Sequence, residues 1–440
     1  MPGPGPETTA DGLARVDVDG DDPAAVLSWL ASPAGTRLLA VAADLAGSRA
    51  PLAAADRLRR LEPASPLPVL TAALAQADLR SRAALRFGDD AARMLFTRDG
   101  LEQATRRSVA DHRARSLLDR GAGTIRTVAD LCCGLGGDLV ALARAGLTVT
   151  GVDTDPVVLA AARANLDALS LRAELVRADV TTVDVDRFDA VVTDPARRSG
   201  RGRETSPASF SPDWSWVHGL LIRPGGRVCV TTTPALPHRM VPAGCEAEWV
   251  ADGAEVLEAA LWSSALASGV RRRATLVGPD GAVTVTDADL PGELPPVRDP
   301  VAGDVLVEPH GAVVRAGLVG VVAARMDGAL PAPGIAYVLA RPDPSVGGVA
   351  GAVGRLGAAF AVQEVLPMRD RPVRARLAEL GVGRLEILKR GVDVRPEAMR
   401  LRLIGARPSG TASATLVLTR TRAGAAALLV TRVRSSPSLV

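Results

Sequence analysis

The residues best suited to ligand chemistry form one loop, Asp130-Leu131-Cys132-Cys133-Gly134-Leu135-Gly136-Gly137-Asp138. Gly134, Gly136 and Gly137 permit tight backbone angles and a close approach of main chain to a ligand. In dinucleotide sites such a turn cradles a pyrophosphate at a helix N-terminus. Here a carboxylate stands at each end, Asp130 before the glycines and Asp138 after them. That pair disfavours a phosphate and suits a ligand carrying an ammonium and a sulfonium. The glycines alone say little, and the residues that follow them say more.

Asp153 closes the apolar run 147–152, where a carboxylate can accept from both hydroxyls of a ribose. Asp179 follows the run 171–176, where an aspartate can accept from an adenine amino group. The cofactor expected from this set is S-adenosylmethionine, bound by Asp130, Gly134, Gly136, Gly137, Asp153 and Asp179. Taken singly, each acid also reads as a helix cap or turn residue, and Asp155 before Pro156 is the better N-cap of the next helix. Taken in register, the acids select the cofactor.

These residues need a frame. Residues 22–98 read as a helical domain, with Leu27, Trp29, Leu30, Leu38, Leu39, Val41 and Leu45 at helical spacing and Pro51, Pro63 and Pro66 as punctuation. Within 99–277, the apolar runs 128–132, 147–152, 171–176, 188–193 and 227–231 alternate with helical stretches, which predicts a parallel sheet covered on both faces. The runs 254–262 and 271–277 are expected to pair as an antiparallel end to that sheet. Residues 278–302 read as a proline-rich linker with room for a short strand at 282–285. Residues 303–440 read as a further α/β domain, with strands at 359–366, 385–388, 415–419 and 427–432 and helices at 372–380 and 396–403. Residues 1–21 are expected to be a flexible tail.

The whole chain, 440 residues and 47% hydrophobic, is long enough for two or three cores. A net charge of +3 selects no partner class, and Lys389 is the only lysine, so the abundance of arginine reflects composition more than binding. Aromatics at 2% exclude an extended base-stacking platform. Cys132, Cys133, Cys229 and Cys245 lack zinc spacing, so no metal is expected. With no secretory signal and no apolar run of membrane length, the expected location is the cytoplasm, away from membranes.

The loop 130–138 followed by Gly151-Val152-Asp153-Thr154-Asp155-Pro156 resembles class I S-adenosylmethionine-dependent methyltransferases, and is similar to the trimethylguanosine synthase branch. Three segments resemble the bacterial methyltransferases with a THUMP-like C-terminal domain: Phe96-Thr97-Arg98-Asp99-Gly100-Leu101-Glu102-Gln103-Ala104-Thr105, Asp194-Pro195-Ala196-Arg197-Arg198, and Leu385-Glu386-Ile387-Leu388-Lys389-Arg390-Gly391-Val392-Asp393. The resemblance covers most of the chain beyond residue 85. It implies an α/β protein: a Rossmann-like class I methyltransferase domain, a helical N-terminal domain and an α/β THUMP-like C-terminal domain. It also implies RNA modification with RNA as partner, and it lays the helical stretch 105–118, which holds His112, over the cofactor pocket. His112 reads as a base or substrate contact, or as a surface histidine.

The run 188–193 delivers Asp194 and Pro195 to the carboxyl edge of the sheet, where open α/β sheets bind ligands. The Asp194 carboxylate and the Pro195 carbonyl could accept from an amine and aim its lone pair at a methyl group. Alignment of that kind contributes up to ~7–11 kcal/mol in well-oriented systems. These two are the catalytic candidates, for direct methyl transfer to a base nitrogen. The segment departs from the usual amino-methyltransferase pattern, with Ala196 in place of a second proline and arginine in place of an aromatic. Phe210, Trp214 or Trp216 could stack on a base, or lie in the core. Cys229 reads as a core thiol and Thr232 stands where a C5-methylating cysteine would be, which argues against that chemistry. Arg197 and Arg198, with Arg201 and Arg203, suit phosphate contacts or a solvated loop. Lys389 and Arg390 suit RNA backbone. Two other classes stay open: a small-molecule methyltransferase, and a non-catalytic cofactor-dependent RNA-binding protein.

Overall fold

The computed structural model describes residues 22–46, 51–63, 65–197, 210–342, 348–406, 408 and 410–433. The expected tail 1–21, and Arg198, Arg201 and Arg203, lie outside the described residues. The chain divides into two compact units, Met1–Thr232 with Leu261–Leu266, and Thr233–Ala260 with Ala267–Val440.

In the first unit the leucine spacing produces helices α1 (Pro23–Leu30), α2 (Pro33–Ala46), α3 (Pro51–Leu61) and α4 (Leu67–Phe87). The first three open on proline, whose missing N–H costs nothing in a first turn. Leu27, Leu30, Leu38, Leu58 and Leu70 bury into a core that continues to Leu135 of the glycine loop and to Ala161 and Ala164. Two buried amides secure the chain leaving α4. Gln76 donates to the Phe96 carbonyl at 2.6 Å and accepts from its N–H at 3.0 Å. Asn165 accepts from the Leu95 N–H at 2.6 Å and donates to the carbonyls of Leu95 and Leu135, at 3.1 and 3.0 Å.

Next come α5 (Arg98–Gln103), α6 (Arg107–Arg120), β1 (Thr127–Leu131), α7 (Gly137–Arg144), β2 (Thr148–Asp153), α8 (Pro156–Ala168), β3 (Glu174–Arg177), β4 (Ala190–Thr193), the short antiparallel pair β5 (Ala196–Arg197) and β6 (Phe210–Ser211), α9 (Trp214–Leu221) and β7 (Val228–Thr232). Strands run β7-β4-β1-β2-β3, parallel at each junction. All residues of β4 and β7 are buried, as expected for parallel strands covered on both faces. Asp189 sets the start of β1 against β4, accepting from the N–H groups of Arg126 and Thr127 at 2.8 and 2.9 Å. Those bonds hold its carboxyl below the usual range. The strand order reverses between β1 and β4, the switch point at whose carboxyl edge open α/β sheets bind ligands.

The second unit begins with β8 (Glu246–Asp252), β9 (Glu255–Trp262), β10 (Arg272–Val277) and β11 (Val283–Thr286), in the order β11-β10-β8-β9. This corrects the expected pairing of 254–262 with 271–277. β8 lies between them and runs parallel to β10, while β10 pairs antiparallel with β11. β8 escapes a hydrophobicity reading because it buries two glutamates. Glu246 accepts from Arg273 Nε at 2.6 Å and from Ser268 N and Oγ at 2.8 and 2.9 Å. Glu248 accepts from Thr275 Oγ1 at 2.6 Å.

The remainder is β12 (Val305–Pro309), α10 (Gly311–Arg315), α11 (Val319–Ala324), β13 (Val338–Ala340), α12 (Gly348–Val353), β14 (Gly357–Pro367), α13 (Asp370–Glu379), β15 (Val382–Arg390), α14 (Pro396–Ile404), β16 (Ala412–Thr421) and β17 (Gly424–Arg432). Six strands form a sheet ordered β13-β12-β14-β17-β16-β15. Val373, Leu377, Met399 and Leu403 of α13 and α14 pack with Leu416 and Leu418 of β16. Tyr337 and Phe360 gather a second core around Val417 and Leu428. The alternation of Leu416, Val417 and Leu418 between the cores is the period-two signature of a strand buried on both faces. The segment 278–302 carries β11 and is tied down by Arg298, which donates to buried Asp304 at 2.5 and 3.0 Å. Among the described residues no single helix is long and apolar enough to cross a membrane.

Candidate functional site

β1 ends at Leu131, and the chain then turns through left-handed angles at Cys132 (φ 63°), Gly134 (φ 52°) and Gly136 (φ 84°). Glycine takes such angles freely, whereas a cysteine there holds roughly 1–3 kcal/mol of strain that its surroundings must contain. The loop lies tight against β2. A Cβ on Gly151 would stand 3.1 Å from Cys133 Sγ and from the Leu139 side chain, so the glycine makes that approach.

Asp153 ties the loop to the turn beyond β2. Its Oδ2 accepts from the Gly134 N–H and its Oδ1 from the Asp155 N–H, both at 3.0 Å. Asp155 caps α8 through Val157 N at 2.8 Å, as its sequence context suggests. Gly137 opens α7, and its open face meets the Thr105 carbonyl, 3.6 Å from where a Cβ would stand. Thr105, just before α6, therefore lies against the start of α7.

The two flanking carboxylates part company. Asp138 forms an ion pair with Arg113 of α6 and accepts from Thr105 Oγ1 at 3.3 Å. It is thus not a ligand-facing acid, which corrects the reading of a carboxylate pair around the ligand. Asp130 is 3% exposed, and its Oδ2 has no hydrogen-bond partner among the described residues. Burial pushes its carboxyl well above the usual range and Asp138 adds to the rise, Arg113 opposes it, and Asp194 and Asp153 contribute further. A buried carboxylate oxygen without a partner is costly unless a ligand satisfies it.

Asp194 is exposed and follows β4, its N–H reaching the Leu131 carbonyl at 3.4 Å, so it stands at the mouth of the loop. Pro195 behind it is buried. Burial, followed by Asp153 and Asp194, pushes the Cys132 thiol to about 12, and burial raises Cys133 as well. Neither is a nucleophile near neutral pH. Cys229 is wholly buried within β7, as expected of a core thiol.

The structure brings together Asp130, Gly134, Gly136, Gly137 and Asp153, with Asp194 and Pro195 at the rim. Asp179 sits beyond β3, exposed, accepting from Thr181 N and Oγ1 at 2.9 and 2.7 Å, which holds its carboxyl below the usual range. His112 is half-buried with Nε2 3.4 Å from Ser116 Oγ. Trp214 and Trp216 are half-buried, and the side chains of Arg197 and Phe210 lie outside the described residues. In the second unit Lys389 is exposed, whereas Arg390 donates to Glu308 Oε1 at 3.0 Å and lies 5.2 Å over the Tyr337 ring. Sequence reasoning missed Arg113. Its signal is helical spacing: Val109, Ala110, Arg113 and Leu117 share the buried face of α6, and an arginine on such a face requires an acid.

A parallel sheet with a glycine loop after its first strand, and acids ending the first two strands, defines a class I methyltransferase architecture. S-adenosylmethionine fits the residues present. Its ammonium matches the orphaned Asp130 oxygen, and the left-handed glycines allow close approach. A methyltransferase-domain profile matches residues 128–196, a THUMP domain-like profile 357–432, and a profile of a domain of unknown function 22–83. Over 359 residues the chain is 39% identical to S-adenosylmethionine-dependent methyltransferases from two strains of Mycobacterium tuberculosis, CDC 1551 and H37Rv, each described as uncharacterized. The match covers 79% of this chain and 91% of those. The chain belongs to this family of S-adenosylmethionine-dependent methyltransferases. The fold is also that of a crystal structure from Porphyromonas gingivalis W83, a candidate methyltransferase, with a TM-score of 0.67 at 21% identity over 90% of this chain and 98% of that one.

Proposed function

We propose that the chain methylates RNA by direct transfer to a base nitrogen. The observation that carries this reading is the joining of a methyltransferase domain and a THUMP domain-like region, 357–432, in one chain. A domain of that kind contacts RNA through shape and backbone, for which exposed Arg369, Arg371, Lys389 and Arg395 are suited. Arg390 is engaged by Glu308 and serves the fold first. Arg197 and Arg198 are the candidates for phosphate contacts near Asp194.

Bound S-adenosylmethionine supplies a methyl group on a sulfonium, a leaving group that needs no protein acid. Asp194 and the Pro195 carbonyl accept from the N–H groups of the acceptor amine and orient its lone pair. On methylation that nitrogen would give up a proton, which Asp194 or water would take. The test is mass spectrometry of nucleosides from each RNA class, with and without the gene. A methylated nucleoside missing without the gene supports the proposal. An unchanged set of nucleosides, with methyl transfer found on a small molecule, overturns it.

A further inference from the structure

Three ionisable groups are buried together behind the glycine loop: Asp130 at 3% exposed, Asp138 at 8% and Arg113 at 2%. Two acids and one cation leave one charge over. Two neighbouring carboxylates in a dry site would otherwise share a proton. Here Arg113 reaches Asp138 from α6, and Thr105 occupies the second Asp138 oxygen. The pairing is lopsided, because Asp138 has two partners while Asp130 keeps an open oxygen.

We propose that Arg113 is a positioning residue for cofactor binding: by neutralising Asp138 it reserves the Asp130 carboxylate for the cofactor's ammonium. With that ammonium in place each of the two buried carboxylates faces a cation of its own. Without Arg113, Asp138 would compete for the same cation or force a proton onto Asp130. The remaining groups facing Asp130 are Asp153 at the end of β2, Asp194 at the end of β4, and the thiols of Cys132 and Cys133, both neutral near pH 7. On α6 itself the neighbour of Arg113 is His112, which contacts Ser116. The same pair pins the start of α7 to α6, so charge and geometry act through one contact.

The test is calorimetric titration of the full chain with S-adenosylmethionine from pH 6 to pH 9. Arg113→Gln is expected to weaken binding at pH 7 by about tenfold or more, and to move its pH midpoint upward by about one unit. The loss relative to wild type should therefore shrink as pH rises. Arg113→Lys should return the affinity to within about threefold. The double variant Arg113→Gln with Asp138→Asn removes both charges and should restore the wild-type pH profile. If the single variant fails to fold, the double variant decides by that profile. A loss equal at every pH, wild-type or tighter binding by the folded single variant, or a displaced profile in the double variant would overturn the proposal.

Discussion

Buried acids occur in both units, and they are treated differently. Glu246 and Asp304 in the second unit are 0% exposed, more buried even than Asp130 in the first. Glu246 has Arg273 and Ser268. Asp304 has both arms of Arg298 and the Val301 N–H at 2.9 Å. Such satisfied acids stiffen a fold and are silent toward ligands. Asp130 keeps an oxygen free at the carboxyl end of β1. Burial and acidity are common to all three, and the open oxygen sets Asp130 apart from the other two.

That contrast can be broken experimentally. The largest effect is expected for Asp194→Ala, which should slow methyl transfer about 10²–10³-fold through lost alignment and charge placement. Its affinity for S-adenosylmethionine should stay within about threefold of wild type; unchanged turnover would remove Asp194 from the mechanism. Asn165→Ala strips partners from three buried backbone groups and should cost about 2–4 kcal/mol in chemical denaturation. A cost below about 1 kcal/mol would show that the clamp on Leu95 and Leu135 is dispensable. Asp153→Ala should raise the dissociation constant for S-adenosylmethionine about 10–100-fold by calorimetry. Asp304→Asn should leave that constant unaltered while destabilising the second unit, so a shift in affinity would undo the comparison.

The smallest effect is a pH effect. His310 Nδ1 accepts from the Ala312 N–H at 3.1 Å, while Nε2 donates to the Gly253 carbonyl at 3.0 Å, so the ring is neutral. Burial lowers its pKa below the ordinary histidine value, and nearby Arg355 adds to that. A depressed pKa means stability is present above the ordinary histidine value and lost as pH falls through the folded one. Losing this cap should cost roughly 0.5–1 kcal/mol, and His310→Gln should flatten the acid limb of a thermal-melting series.

Much of this was legible in the sequence. The glycine loop, Asp153 and the strand–helix alternation of 128–231 are local patterns, and local patterns survive folding. The strands and helices of 357–432 stand out because their apolar period is clear. β8 was hidden because Glu246 and Glu248 break the apolar run, and only Arg273, Ser268 and Thr275, distant in sequence, make them tolerable. Asp138 looked like a ligand acid because the loop shows two carboxylates but not the cation brought by α6. Asn165 in an alanine-rich helix carries no sequence signal, since its value lies in meeting Leu95 and Leu135.

The first unit borrows Leu261–Leu266 from far along the chain. Ser263 donates to the Val228 carbonyl at 2.9 Å and accepts from the Val228 N–H at 3.0 Å, while Arg120 reaches the Leu266 carbonyl at 2.8 Å and covers the Trp262 ring at 4.3 Å. A nascent chain that has emerged from the ribosome as far as Thr232 already holds every residue of the glycine loop. It still lacks the segment that completes β7 and the end of α6. Domains usually mature in the order they are made. Here the unit that holds the glycine loop is complete only once residues 261–266 have been made.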